Sequence, residues 1–199
     1  GEFLDRKEAL AHALECGQLS ATHRHYQEDH NIDELYSEDF ETHYGYDPDE
    51  IDLLKADNSV SSGESSDYVE LLDWLESHPL DSDENYRYVA TKIDVDNFIN
   101  YQQTEIYANN RDWPSNNLKK WRVRNPATPW RWFLYDMDFG FGNDMSEYTN
   151  NIFEFAAAED GPDWPNGPKS TFLFRKLLEN KSFTTPSQFF FNRNASHFR

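Results

Sequence analysis

The chain has 199 residues, 37 acidic against 18 basic side chains, and a net charge of −19. That balance argues against nucleic-acid binding through a basic face, which needs clustered Lys and Arg. It fits a partner that is cationic or basic, or simply a well-solvated surface.

The length suits one domain or a large piece of one, with a real core. Aromatics at 16% argue against wholesale disorder. The single cysteine, Cys16, permits no internal disulfide and gives no indication of redox compartment. No apolar run reaches membrane length. No signal peptide is visible, and because Gly1 is not a natural start an upstream segment is expected.

Residues 1–34 carry little period. Glu8 to Leu14 has helix-forming composition, and His23, His25 and His30 lie in a polar stretch that reads as a solvated turn rather than a metal site. Ser37 can cap a short helix through Phe40 and Tyr44, stopped at Gly45. Ile51 to Lys55 reads as a strand, and Asp57 to Ser66 as a loop. Asp67 and Glu70 form a capping pair for a helix whose Tyr68, Leu71, Leu72 and Leu75 share one face, ended by Pro79. A looser helix runs through Tyr86 to Thr91. Asp94 or Asp96 caps the next, with Phe98, Ile99, Gln102 and Ile106 along one face.

That helix runs out at Asn109-Asn110, and Pro114 cannot continue it. Asp112 is therefore expected on a loop held by a rigid helix. Leu118 to Arg124 and Trp130 to Asp136 are expected to form a β-hairpin, with its turn at Pro126 and Pro129. Trp121 and Val123 share a face of the first strand; Trp130, Trp132 and Leu134 share one of the second. The tryptophans read as core rather than as a sugar-stacking platform. Residues 151–159 read as helical, 160–169 as a Pro/Gly loop, and Ser170 or Thr171 caps a helix with Phe174, Leu177 and Leu178 on a face.

The hairpin can bring two acidic loops together. Arg111-Asp112, with Asn117 five residues after the aspartate, has a spacing that phosphoryl transfer uses. The acid accepts or orients the proton of the attacking hydroxyl, and the amide ligates magnesium. A second acid must hold the metal from the other side, and Asp136 or Asp138 can supply it, followed by the turn-permitting Gly140 and Gly142. The competing reading is that these acids cap turns and pair with Arg111, Arg122, Arg124 or Arg131. An EF-hand frame on Asp136, Asp138 and Glu147 fails, because Phe141 stands where the loop needs glycine. Nothing in the spacing selects a glycosidase acid pair.

These residues resemble the spore coat protein H (CotH) family of atypical, secreted protein kinases. The motifs are Asn110-Arg111-Asp112-Trp113-Pro114-Ser115-Asn116-Asn117, then Trp121-Arg122, then Trp130-Arg131-Trp132 leading to Tyr135-Asp136-Met137-Asp138 and Phe141-Gly142. Ile51 to Lys55, Ile93 to Ile99 and Ser170 to Phe183 look like the family too, so the resemblance covers residues 35–183. Residues 1–34 and 184–199 match poorly. Arg111 and Ser115 stand where the family usually has Thr and Gly.

The resemblance implies an α+β fold of divergent protein-kinase type, mainly the helical C-lobe with a β-hairpin between the catalytic and metal-binding loops. It implies ATP with Mg²⁺ or Mn²⁺ as cofactors, and Ser/Thr phosphorylation of protein substrates such as spore coat or surface proteins. Asp112 takes the catalytic position. Asn117, or its neighbour Asn116, supplies an amide for the metal–nucleotide. The Asp136/Asp138 pair binds metal, with Asp136 favoured because the family pattern is anchored by Phe141-Gly142. A spore-coat or extracellular location is implied, with no nucleic-acid partner and no membrane span. The family's amino-terminal lobe would precede residue 1, and neither a Gly-rich loop nor a phosphate-contacting strand lysine is found here, so the chain is expected to be an incomplete portion of the kinase, with only its metal and catalytic half and without activity of its own. The alternative is a non-catalytic scaffold or pseudokinase in a coat or surface assembly.

Overall fold

The computed structural model describes residues 44–137, 139–141, 151–158 and 170–184. The expectations for the histidine-rich stretch, the helix from Ser37, the 160–169 loop and the side chain of Asp138 lie outside these residues. All the described residues fall in one structural unit, 36–199.

The architecture is mixed α+β. A 3-10 turn, Pro48–Glu50, leads into strand β1, Ile51–Lys55, and a short β2, Val60–Ser62. Helices α1 (Ser66–Ser77), α2 (Asp83–Lys92) and α3 (Val95–Ala108) follow. Strands β3 (Lys119–Val123) and β4 (Arg131–Phe133) form the expected hairpin, and α4 (Ile152–Ala157) and α5 (Phe172–Leu178) close the order. The sheet is antiparallel with order β2-β1-β3-β4.

Register assigns the two faces. Leu53 opposes Trp121 and Leu54 opposes Lys120, which in turn opposes Trp132. Leu54 and Trp132 therefore share the face that packs on the helices, where Tyr68, Leu71, Leu75, Phe98, Ile106, Phe174 and Leu177 are buried in one cluster. On the other face Tyr44 and Tyr46 lie against Trp121, at ring separations of 5.5 and 6.0 Å, and Phe133 stacks on it at 5.8 Å. Trp113, Trp121, Trp130 and Trp132 are all buried, as a core reading requires. Leu134 is 48% exposed, because β4 ends at Phe133 and alternation no longer holds it inward.

Three local expectations are corrected. Val60–Ser62 is an edge strand rather than loop, since pairing with β1 supplies the hydrogen bonds its own sequence does not announce. The capping pair of α1 does not form; Ser65 is the N-cap, without a side-chain bond. Asp67 is drawn away by Trp130 Nε1 (3.2 Å), Arg122 (2.6 Å) and Lys92 (3.2 Å). Helix α2 is longer than expected, starting at Asp83 behind the Ser82 cap.

The expected cap of α3 does form, with Asp94 accepting from the Asn97 N–H at 3.0 Å. Asn97 then occupies the free edge of β4. Its Oδ1 accepts from the Trp132 N–H at 2.6 Å and its Nδ2 donates to the Trp132 carbonyl at 3.2 Å. One side chain thus satisfies an edge strand and locks the start of α3 to the hairpin. Because α3 is rigid, its other end is fixed relative to the hairpin as well, and both acidic loops hang from these two elements.

A buried charge pair completes the frame. Asp52 is fully buried; Arg122 reaches it at 2.8 Å, Arg124 at 3.5 Å, and the Glu64 N–H at 2.7 Å. The last bond requires Gly63 at φ +70°, where a Cβ would collide with the Asp52 carboxylate and the Ile51 carbonyl.

Candidate functional site

Helix α3 stops where Asn109 turns into the left-handed region at φ 52°, its N–H still bonded to Glu105 and Ile106 carbonyls. The next residue, Asn110, is fully buried, and the loop through Asn117 begins. Asp112 is half-buried on that loop. Its Oδ2 accepts from Asn116 Nδ2 at 3.1 Å and from Asn117 Nδ2 at 3.2 Å. Its carbonyl accepts from the Asn116 N–H at 3.2 Å.

The second loop arrives from β4. Asn117 Nδ2 also donates to the Asp136 carbonyl at 3.4 Å, so one amide touches both loops. Two backbone bonds tie them further: Arg111 N–H to Phe139 O at 3.3 Å, and Phe141 N–H to Ala108 O. Gly140 sits in the seam, where a Cβ would lie 3.0 Å from the Met137 carbonyl and 3.3 Å from that of Ala108. The hairpin therefore brings Asn117, which holds the Asp112 carboxylate, to the Asp136 backbone. The side chain of Asp138 lies outside the described residues.

Four non-glycine residues around this seam have positive φ: Asn109 (52°), Asn117 (50°), Asp136 (54°) and Phe141 (55°). Asn and Asp visit this region at modest cost, but an aromatic there is strained. Strain of this kind persists only where surrounding structure enforces it, and it gathers at functional sites. The Trp113–Pro114 peptide within the first loop is cis.

Of the four arginines in the competing reading, three pair with other acids. Arg122 and Arg124 serve Asp52, Arg122 also serves Asp67, and Arg131 pairs with Asp94 at 2.9 Å. The Asp112 carboxylate is held by two neutral amides instead.

The donor chemistry suits a hard divalent cation. Asp112, Asp136 and the amides of Asn116 and Asn117 offer oxygen only, apart from the two amide nitrogens that already face Asp112. Mg²⁺ takes one or two carboxylates and fills the rest of its shell with water and phosphate oxygens. Among the described residues, no group of three or more His, Cys, Asp or Glu is arranged to hold a metal ion.

Two groups near the site carry no role in the sequence reading. Glu105 is fully buried on α3, and burial pushes its carboxyl up to about 7, against the opposing pull of the Asn110 and Tyr101 side chains. Its position was visible in principle, because it falls on the same buried face as Phe98, Gln102 and Ile106. Lys120 is a buried strand lysine, 2% exposed, on the helix-facing side of β3. Its Nζ donates to the Lys55 carbonyl at 2.8 Å and lies 4.6 Å from the Tyr68 ring centre, and burial pushes it down to about 7.

Among the described residues no helix is long and apolar enough to cross a membrane. No curated protein and no solved structure matches the chain. One family model does, described as CotH kinase protein, over residues 12–193, a longer span than the stretch 35–183 that carries the resemblance. Both loops of the site lie inside that match, and the chain belongs to the CotH kinase family.

Proposed function

We propose that this chain carries the catalytic and metal-binding loops of an ATP-dependent protein Ser/Thr kinase, built on a divergent protein-kinase-like fold. The observation that carries the reading is the Asn117 amide, bonded at once to the Asp112 carboxylate and the Asp136 backbone. Asp112 accepts or orients the proton of the substrate hydroxyl. Asn117, with Asn116 beside it, and the Asp136/Asp138 pair would hold Mg²⁺ or Mn²⁺ with the nucleotide. When bound, the metal neutralises charge on the phosphate oxygens. The chain's own contribution is positioning: two short loops fixed by α3 and the hairpin, with backbone bonds across the seam.

Family membership is consistent with a spore-coat association, and coat or surface proteins are the proposed substrates. The second reading is a non-catalytic partner-binding protein in the same setting. A thermal-shift titration with ATP and Mn²⁺ separates the two. A site of the proposed kind gains about 2.7 kcal/mol when ligand stands at a hundred times its Kd, and loses the gain in Asp136→Ala. A melting temperature indifferent to nucleotide and metal supports the partner-binding reading.

A further inference from the structure

The two loops are joined at a second point, deeper than Asn117. Asn110 is fully buried, and its side-chain polar atoms are committed. Nδ2 donates to Glu105 Oε2 at 2.8 Å and lies 3.7 Å from the Met137 sulfur; Oδ1 accepts from the Asp112 N–H at 3.2 Å. The Asn110 backbone N–H returns to the Glu105 carbonyl at 3.2 Å. One side chain thus reaches the helix, the Asp112 backbone and the residue after Asp136.

We propose that Asn110, gripped by the buried Glu105 carboxyl, is the positioning residue that sets Asp112 against the Asp136 loop. Its part in catalysis rests on the phosphotransfer reading above; its part in fixing the loop does not.

The chemistry requires asparagine. The site needs a donor toward Glu105 and an acceptor toward the Asp112 N–H, one carbon from the backbone turn. An aspartate there would face a carboxyl with a carboxylate, and an apolar residue would leave both partners buried and unpaired.

Glu105 itself is held under tension. Its Oε1 is buried beside the Tyr101 hydroxyl, which acts on the carboxyl together with Asn110, and Trp113 Nε1 is buried next to that hydroxyl. The groups weighing on its charge are Asn110 from the loop and Tyr101 from its own helix, and Tyr101 is influenced in turn by Trp113 and Tyr135. A packed core keeps such an acid only where something uses it, since an apolar residue would cost less. Its use here is as acceptor for Asn110. The grip tightens when the carboxyl ionises, because N–H bonds to a charged oxygen are shorter and stronger.

The test uses the full-length protein, isotope-labelled for NMR, alone and then with diamagnetic Mg²⁺ and ATP. In Asn110→Ala the Asp112 amide hydrogen should exchange at least ~10-fold faster than in wild type, the scale of one lost buried hydrogen bond. Glu105→Ala should do the same, and Glu105→Gln, which keeps an acceptor oxygen, should restore protection. Phosphate transfer should fall at least ~10-fold in kcat for Asn110→Ala, with KM for ATP nearly constant. In folded wild type the Asn110 side-chain amide signals should titrate near pH 7, and in Glu105→Gln they should not. Wild-type exchange at Asp112 in Asn110→Ala, or side-chain signals that titrate alike in both proteins, overturns the proposal. If exchange responds as expected but wild type transfers no phosphate, the kinase reading fails and the loop clamp stands. If wild type transfers phosphate and Asn110→Ala keeps pace, the catalytic role of the clamp falls while the kinase reading stands.

Discussion

Asn117 Nδ2 lies 3.2 Å from Asp112 Oδ2 and 3.4 Å from the Asp136 carbonyl, so a single amide couples the two acidic loops. Asn116 contacts the same carboxylate oxygen at 3.1 Å but is exposed and makes no such bridge. The pair should therefore separate on mutation. Asn117→Ala is expected to cost at least ~10² in phosphotransfer, through lost positioning and a lost metal donor. Asn116→Ala should stay within about tenfold, the worth of one exposed hydrogen bond. Steady-state rates for the two variants, with circular dichroism as a fold check, decide this.

Glu105 should give stability a downward slope with pH. Its folded value, about 7, stands above the ordinary 4.5 because burial penalises the charge. Below 4.5 both folded and unfolded chains hold the proton, so there is no cost. Between 4.5 and 7 only the unfolded chain releases it, and stability falls; above 7 the loss is complete, about 3 kcal/mol. Glu105→Gln should remove that component. Urea denaturation of both proteins at pH 5 and pH 8 should show the variant's relative stability improving at the higher pH.

Lys120 should act in the opposite sense. Burial holds its folded value near 7, below the ordinary 10.5. Below pH 7 both states carry the charge and the folded chain bears the full burial cost. From 7 to 10.5 the unfolded chain keeps its proton while the folded one has shed it, so stability rises with pH. Lys120→Met keeps the length without the charge. Its stability relative to wild type should be more favourable at pH 6 than at pH 10, by at most on the order of 4 kcal/mol. Equal differences at both pH values would mean that the ammonium is not desolvated as its 2% exposure indicates.

Asp67 is a junction of α1, α2 and the hairpin, bonded to Trp130, Arg122 and Lys92. Burial alone would raise its carboxyl, but those three partners outweigh it and hold the group below the ordinary 3.8. Asp67→Ala leaves the Trp130 N–H without an acceptor and weakens the Arg122 network, which should cost about 2 kcal/mol. The local Lys176–Glu179 pair at 3.2 Å on α5 offers a contrast. Lys176→Ala should cost about 0.5 kcal/mol or less. Parallel chemical denaturation checks both.

How far the sequence reveals this arrangement depends on the range of the interactions. The helical face of Tyr68, Leu71, Leu72 and Leu75 and the face of Phe98, Ile99, Gln102 and Ile106 are periodic, and all but Leu72, which is partly buried at the edge of the core, are buried as their spacing requires. The Asp94 cap is local and forms. The Asp67–Glu70 pair is equally local in sequence, yet it yields to charge partners 25 and 55 residues away. Strand β2 is invisible because its pairing with β1, not its composition, makes it a strand. At the site, spacing alone brings Asp112 and Asn117 onto one loop, and the hairpin brings the Asp136 backbone to them. The roles of Asn110 and Glu105 are not legible in the same way. Asn110 reads as a helix stop and Glu105 as one more acid among 37, until their side chains are found bonded to each other inside the core.

The most direct measurement is incorporation of labelled γ-phosphate from ATP into protein, with Mn²⁺ or Mg²⁺, by the full-length protein and by its Asp112→Ala variant of equal folded content. Transfer by wild type, falling at least ~10²-fold on loss of the Asp112 carboxylate, is the predicted result. Transfer that Asp112→Ala leaves unchanged, or no transfer by wild type under any metal, would contradict the account.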